Sequence, residues 1–177
     1  MSKGKSYEQF PLWIPLTAII LSFSTYIIGA AILIEFSIII ALLYLLYCIG
    51  IELLVVIRSC KHCYYYNKLC GLGKGKYASF LVKKGDPKKF IEREVTVSDL
   101  LPDFLVALFP IAGGIILSII DFSFIRIGLL ILLILLSTSG TAFLRGSFAC
   151  KYCKQRQIGC PADQFFNKNK KTDKTRI

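Results

Sequence analysis

Apolar residues run almost unbroken through two long stretches of the chain, and polar residues gather between and after them. From Phe10 to Ile57 the only charged side chains are Glu35 and Glu52. A hydrocarbon core about 30 Å thick takes roughly 20 helical residues to cross, and this block holds more than twice that number. It therefore divides into two spans, with Glu35-Phe36-Ser37 as the turn between them. The second block runs from Leu100 to Leu144 and, beyond Asp103 near its start, carries only Asp121 and Arg126. It divides in the same way. The pattern predicts helices near residues 11–33, 36–57, 101–120 and 123–144. The first apolar run is too long for a signal-peptide core and no small-residue cleavage site closes it, so it reads as a span. The expected fold class is an all-α integral membrane protein, four transmembrane helices arranged as two tandem helical hairpins.

Charge adds an orientation. The 177 residues contain 22 Lys and Arg against 11 Asp and Glu, a formal net charge of +11. Lys3 and Lys5 precede the first span. The loop from Arg58 to about Asp99 and the tail after Leu144 carry nearly all the other basic residues, and Arg126 alone lies on the hairpin side. The positive-inside rule then puts both termini and the central loop in the cytoplasm of a multi-pass cell-membrane protein. The positive excess is a one-sided membrane signature, so nucleic acid is not an expected partner. The expected partners are anionic lipid headgroups and a cytoplasmic or membrane protein.

The two halves resemble each other. Ile34-Glu35-Phe36-Ser37 recurs as Ile120-Asp121-Phe122-Ser123, and Cys60-Lys61-x-Cys63 recurs as Cys150-Lys151-x-Cys153. Gly50 and Gly140 precede the first cysteine of each set by the same distance. The separation between copies grows by about one helical turn from hairpins to cysteines. Residues 1–99 are read as one repeat and 100–177 as the other. The repeat is parallel, so its expected pseudo-twofold axis lies along the membrane normal and brings the two cysteine segments together. Gly29-Ala30-Ala31 and Ala112-Gly113-Gly114 allow close helix approach, and Pro110 is expected to loosen the third helix.

Six of the seven cysteines carry the candidate chemistry. Cys60, Cys63 and Cys70, and Cys150, Cys153 and Cys160, share the spacing C-x2-C-x6-C. Two sulfurs from one tight turn can reach one metal ion, and two such pairs complete a tetrahedral site. In a cytoplasmic segment this spacing points to metal or redox chemistry before disulfides. The expected cofactor is Zn2+, one or two ions. One ion would take the two C-x2-C pairs and clasp the halves, and two would share all six thiolates. The alternatives are an iron–sulfur cluster, for which the dense ferredoxin run is missing, and reduced structural thiols. His62 is a candidate fourth ligand beside Cys60, Cys63 and Cys70, although Tyr152 holds that place in the second set. Lys61, Lys68, Lys151, Lys154 and Arg156 surround the sulfurs and would offset thiolate charge. Cys48, inside the second span, reads as a small packing residue.

The spacing C-x2-C-x6-C, used twice, resembles the half-motifs of fungal binuclear zinc-cluster domains. The resemblance covers these six positions. The connection between the sets is far longer here and crosses the membrane twice, so DNA binding is not implied for this chain.

Glu52 lies inside the second span, and an intramembrane carboxylate is a functional candidate. Ser137, Thr138, Ser139 and Thr141 occupy the corresponding depth of the fourth span and are expected to face Glu52 across a polar crevice. Tyr64-Tyr65-Tyr66 reads as an interfacial aromatic belt. Gly71 to Lys76 is glycine-rich and basic but lacks the phosphate-loop frame. Lys74, Lys76, Lys83 and Lys84 are the expected headgroup contacts, the last two on a short interfacial helix from Tyr77. Asp86-Pro87 ends that helix, Ser98 or Asp99 caps the third span, and the basic tail from Phe166 is expected to be disordered. No triad, inward carboxylate pair or nucleotide loop points to an enzyme. The sequence reads as a scaffold closed by metal. A redox subunit and a small transporter using the Glu52 crevice are the competing readings.

Overall fold

A computed structural model of the chain describes residues 6–93 and 95–164. The described residues are helical and form no strand, apart from one isolated bridge between Tyr7 and Cys153. Four helices are long and apolar enough to cross a membrane: α1 (Trp13–Leu33), α2 (Ile38–Arg58), α5 (Val97–Ile120) and α6 (Phe124–Ala149). Three short helices lie at the cysteine-bearing end: α3 (Lys74–Leu81), α4 (Pro87–Ile91) and α7 (Lys154–Gly159). The expected tail and the first two lysines fall outside the described residues.

The spans bury little of themselves. Only 11% to 28% of each most apolar stretch is inside the molecule, and Leu, Ile and Phe side chains cover the rest of the bundle surface. An apolar surface this continuous is anomalous for a soluble monomer and is what a lipid-facing bundle presents.

Close approach sets the packing. A Cβ on Gly29 of α1 would stand 2.5 Å from the Tyr44 hydroxyl of α2 and 3.1 Å from the Pro110 ring of α5, so glycine lets three helices meet there. Pro110 sits inside α5 without an N–H to give, which leaves the Val106 carbonyl short of its helical donor. Tyr44 donates its hydroxyl to that carbonyl at 2.9 Å. The proline therefore does not break α5, because a side chain from α2 replaces the lost bond.

The capping of α5 differs from expectation. Thr96, rather than Ser98 or Asp99, is the N-cap, and Asp99 closes a capping box by accepting the Thr96 N–H at 3.2 Å. The helix starts earlier than its apolar pattern because the cap, not the hydropathy, sets the first turn. At the other end of the bundle the hairpin tips are joined. Arg126 of α6 donates its Nε–H to Glu35 Oε2 at 2.6 Å, lies 3.7 Å from the Asp121 carboxylate, and donates to the Leu117 carbonyl at 2.8 Å.

Candidate functional site

Both cysteine segments fold from the ends of spans. After α2, a single 3-10 turn over Cys60–His62 lets the Cys63 N–H donate to the Cys60 carbonyl at 3.2 Å. After α6, whose last turns from Leu144 to Ala149 widen to π-helix, the Cys153 N–H donates to the Cys150 carbonyl at 3.3 Å. The two C-x2-C turns thus close in the same way. Backbone N–H groups just past the second cysteine favour its ionised form in each turn: that of Tyr65 for Cys63, and those of Arg156 and Gln155 for Cys153. Cys70 accepts the Gly75 N–H at 3.2 Å.

Glycine lets the first loop fold tightly. Gly73 has φ +76°, a conformation side chains resist. A Cβ on Gly75 would come within 2.3 Å of the Tyr65 carbonyl and 2.6 Å of that of Lys68. Asn67, at φ 60°, donates its N–H to the Gly75 carbonyl at 3.0 Å and folds the loop back on itself. The glycine-rich run is therefore a packing device under the cysteines.

The two segments meet. Tyr65 is nearly fully buried with Phe10 and Ile14, and Cys63, Cys70 and Cys153 pack around them. The Tyr65 hydroxyl donates to the Tyr7 carbonyl at 2.6 Å and accepts the Lys154 N–H at 2.9 Å. Gln155 Oε1 accepts the Tyr64 N–H at 2.7 Å. Residues ahead of α1 complete the closure: Tyr7 donates its N–H to the Tyr152 carbonyl and Phe10 donates to that of Leu69, both at 3.0 Å. Glu8 accepts from Tyr64 at 2.5 Å and pairs with Lys154.

This closure corrects one reading and adds residues the sequence did not mark. Tyr65 belongs to the core of the junction rather than to an aromatic belt, because its hydroxyl is consumed by backbone groups of two separate segments. Tyr7, Glu8, Phe10 and Gln155 carry no mark in the sequence; the triple tyrosine directly behind a C-x2-C pair is the only local signal. Tyr65→Phe is expected to strand the Lys154 N–H and the Tyr7 carbonyl, at about 1–3 kcal/mol for unpaired buried groups. A thermal melt and faster amide exchange at residues 7–10 would check it. Unchanged exchange there would show that the hydroxyl does not hold the strap.

Five of the six thiols are half-buried, and Cys150 is exposed. Burial pushes Cys63 up to about 12, and Cys153, Cys70 and Cys60 are the neighbouring thiols that oppose its ionisation; the Tyr65 N–H offsets part of the rise. Burial likewise raises Cys150 and Cys153, each with Cys160 among its neighbours. As the thiols lie, no three His, Cys, Asp or Glu among the described residues stand close enough together to hold a metal ion. Cys48 is buried in the core between the spans. His62 is turned onto the loop before α4, its Nδ1 2.9 Å from the Asp86 carbonyl oxygen and its ring against Gly85.

The polar groups within the long apolar helices sort differently from expectation. Glu52 accepts the Tyr26 hydroxyl at 2.6 Å and pairs with Lys74 at 2.7 Å. Lys74, expected at a headgroup, thereby pins the first turn of α3 to α2. Lys76, Lys83 and Lys84 are exposed. Ser137, Thr138 and Thr141 donate to carbonyls of their own helix, within the π-helical stretch Leu136–Gly140 and the turn after it. Ser139 is exposed, and Gly140 packs on Leu21 of α1. These hydroxyls do not meet Glu52, because the widened helix gives them local acceptors and lies against α1 instead of α2.

Comparison with protein-family models, with curated proteins and with solved structures returned no match.

Proposed function

We propose that the chain is a multi-pass membrane scaffold whose two cysteine segments, joined at one end of the bundle, take up zinc and present a basic cytoplasmic surface to a protein partner or to anionic lipid. The observation that carries this reading is the paired geometry of the C-x2-C turns. Both close by the same hydrogen bond, from the second cysteine's N–H to the first cysteine's carbonyl, and backbone N–H groups beyond each second cysteine offset part of the rise that burial imposes on its thiol. Such N–H groups favour a thiolate, the form that binds metal. The ligand set would be drawn from Cys60, Cys63 and Cys70 with Cys150, Cys153 and Cys160, and ligation requires the thiols to approach more closely than they now stand. Bound Zn2+ would supply a redox-inert cross-link between the halves.

The excess of Lys and Arg at the cysteine-bearing end supports a cytoplasmic placement of that end and of both termini. The matched turns support a duplicated hairpin with a pseudo-twofold along the membrane normal. Glu52 supports the scaffold over a transporter, since Tyr26 and Lys74 occupy its carboxylate.

Metal analysis and an absorption spectrum of anaerobically purified protein test the proposal. Colourless protein with one or two zinc ions per chain is expected. Brown protein with iron and sulfide would replace the scaffold with a redox subunit, which uses the same cysteines. Metal-free protein with titratable thiols would sink both.

A further inference from the structure

The seam between α2 and α5 holds two neighbouring cavities of opposite character. Midway along the spans is a groove of about 390 Å³ lined by Ile40, Leu43, Tyr44, Tyr47, Leu105 and Phe109. Its volume falls within the roughly 300–1,000 Å³ of small-molecule sites. Toward the cysteine-bearing end lies a second cavity of about 90 Å³, whose charged walls are Arg58, Arg93, Asp99 and Asp103. The Tyr47 hydroxyl donates to the Pro102 carbonyl at 2.9 Å and marks the junction, since Tyr47 lines the groove and Pro102 the charged cavity.

We infer that this seam is a binding site for one phospholipid of the cytoplasmic leaflet, with a headgroup carrying a phosphate and a primary ammonium. The inference rests on the multi-pass reading. An amphiphile matches the order of the cavities: an apolar chain along the spans, then a charged head at the membrane boundary. The charges select the head. Arg93 is engaged, donating to Asp99 at 3.0 Å and to Ser59 at 3.3 Å. Arg58 is only loosely held, 3.8 Å from Asp99, and its side chain is 60% exposed. Asp103, one turn beyond Asp99, is exposed on the opposite wall. An anionic phosphate suits Arg58 and an ammonium suits Asp103, so a headgroup with both signs leaves neither wall unmatched. A purely anionic head would face the two aspartates. A partner helix fits the groove poorly. Helices approach in membranes through small residues, whereas this groove is walled by Ile, Leu, Tyr and Phe.

Native mass spectrometry of the full chain in detergent, given equal amounts of phosphatidylethanolamine and phosphatidylglycerol, tests the inference. One retained phosphatidylethanolamine per chain is expected, favoured by about 5-fold, the upper range of a partly exposed ion pair. Asp103→Asn should bring the two lipids to parity without loss of total lipid. Leu105→Trp should fill the groove and remove both, with Ile40→Trp as a second filling variant should the first misfold. Equal retention of the two lipids by the native chain, no adduct, or an adduct that survives both filling variants would overturn the site. So would a dimer in place of the adduct. Carbonate extraction of membranes separates the two failures: a chain that resists extraction but retains no lipid keeps its spans and loses only this site.

Discussion

Glu35→Ala is expected to destabilise the bundle by about 2 kcal/mol, less than stranding one member of a fully buried ion pair, because Glu35 is exposed and Arg126 keeps other partners. Arg126→Leu is expected to cost about half as much. The asymmetry comes from exposure. The Arg126 side chain is 9% accessible and that of Glu35 is 37%. Without Glu35 the guanidinium stays shielded from water, with the Leu117 and Asp121 carbonyls and a carboxylate 3.7 Å away as its remaining partners. Without Arg126, Glu35 turns to water at the hairpin tip, and the loss is mainly that of the bonds to the carbonyls. Unfolding in graded denaturing detergent would measure both variants. Equal losses would show that the tip is solvated well enough for the charge not to matter. Arg126 joins residues from both hairpins, so Glu35→Ala should also separate the tips, which a distance probe between positions 36 and 122 can report.

Cys63→Ser is expected to have its large effect only in the metal-loaded protein. A ligand present at about 1,000 times its dissociation constant stabilises the folded state by roughly 4 kcal/mol. In a chain of this size that is about 10 °C in Tm. The serine variant should lose that increment and retain less zinc. After chelation it should melt close to the chelated native chain, because Cys63 without metal is a half-buried neutral thiol and serine has nearly its shape. Cys48→Ser, in the core between the spans, should leave zinc content unchanged and serves as the control. A native chain whose Tm ignores chelator, with Cys63→Ser melting at the same temperature, would remove the metal from the account.

The spans were legible in the chain because membrane helices announce themselves through length and apolarity alone. The expected 11–33 became Trp13–Leu33 and the expected 36–57 became Ile38–Arg58. The fourth span, expected to end at 144, continues to Ala149. The extra turns contain Arg145 and Gly146, which hydropathy discounts, and they form because the π-helical backbone there still finds its own acceptors. The start of α5 departs from the apolar pattern for the converse reason: capping is a matter of one hydroxyl and one carboxylate, invisible to an average over apolar residues.

The candidate site was legible only as an inventory. Six cysteines in two equal spacings were plain, and their placement after α2 and after α6 followed from the spans. What joins them was not plain. Tyr65 reaches Tyr7 and Lys154, and Gln155 reaches Tyr64, across separations of 58, 89 and 91 residues. No local rule pairs residues so far apart. The same holds for Lys74, which on sequence belonged at the lipid surface and in the fold neutralises Glu52, and for His62, which faces the Asp86 carbonyl. The chain by itself determined how many of its helices are long and apolar enough to cross a membrane, which end gathers the positive charge and which residues could bind metal. The tertiary structure alone decided the partners of Glu52, Arg126 and Tyr65. A buried charge or hydroxyl is stabilised by whatever group packing brings to it, and packing is a property of the whole chain rather than of any window along it.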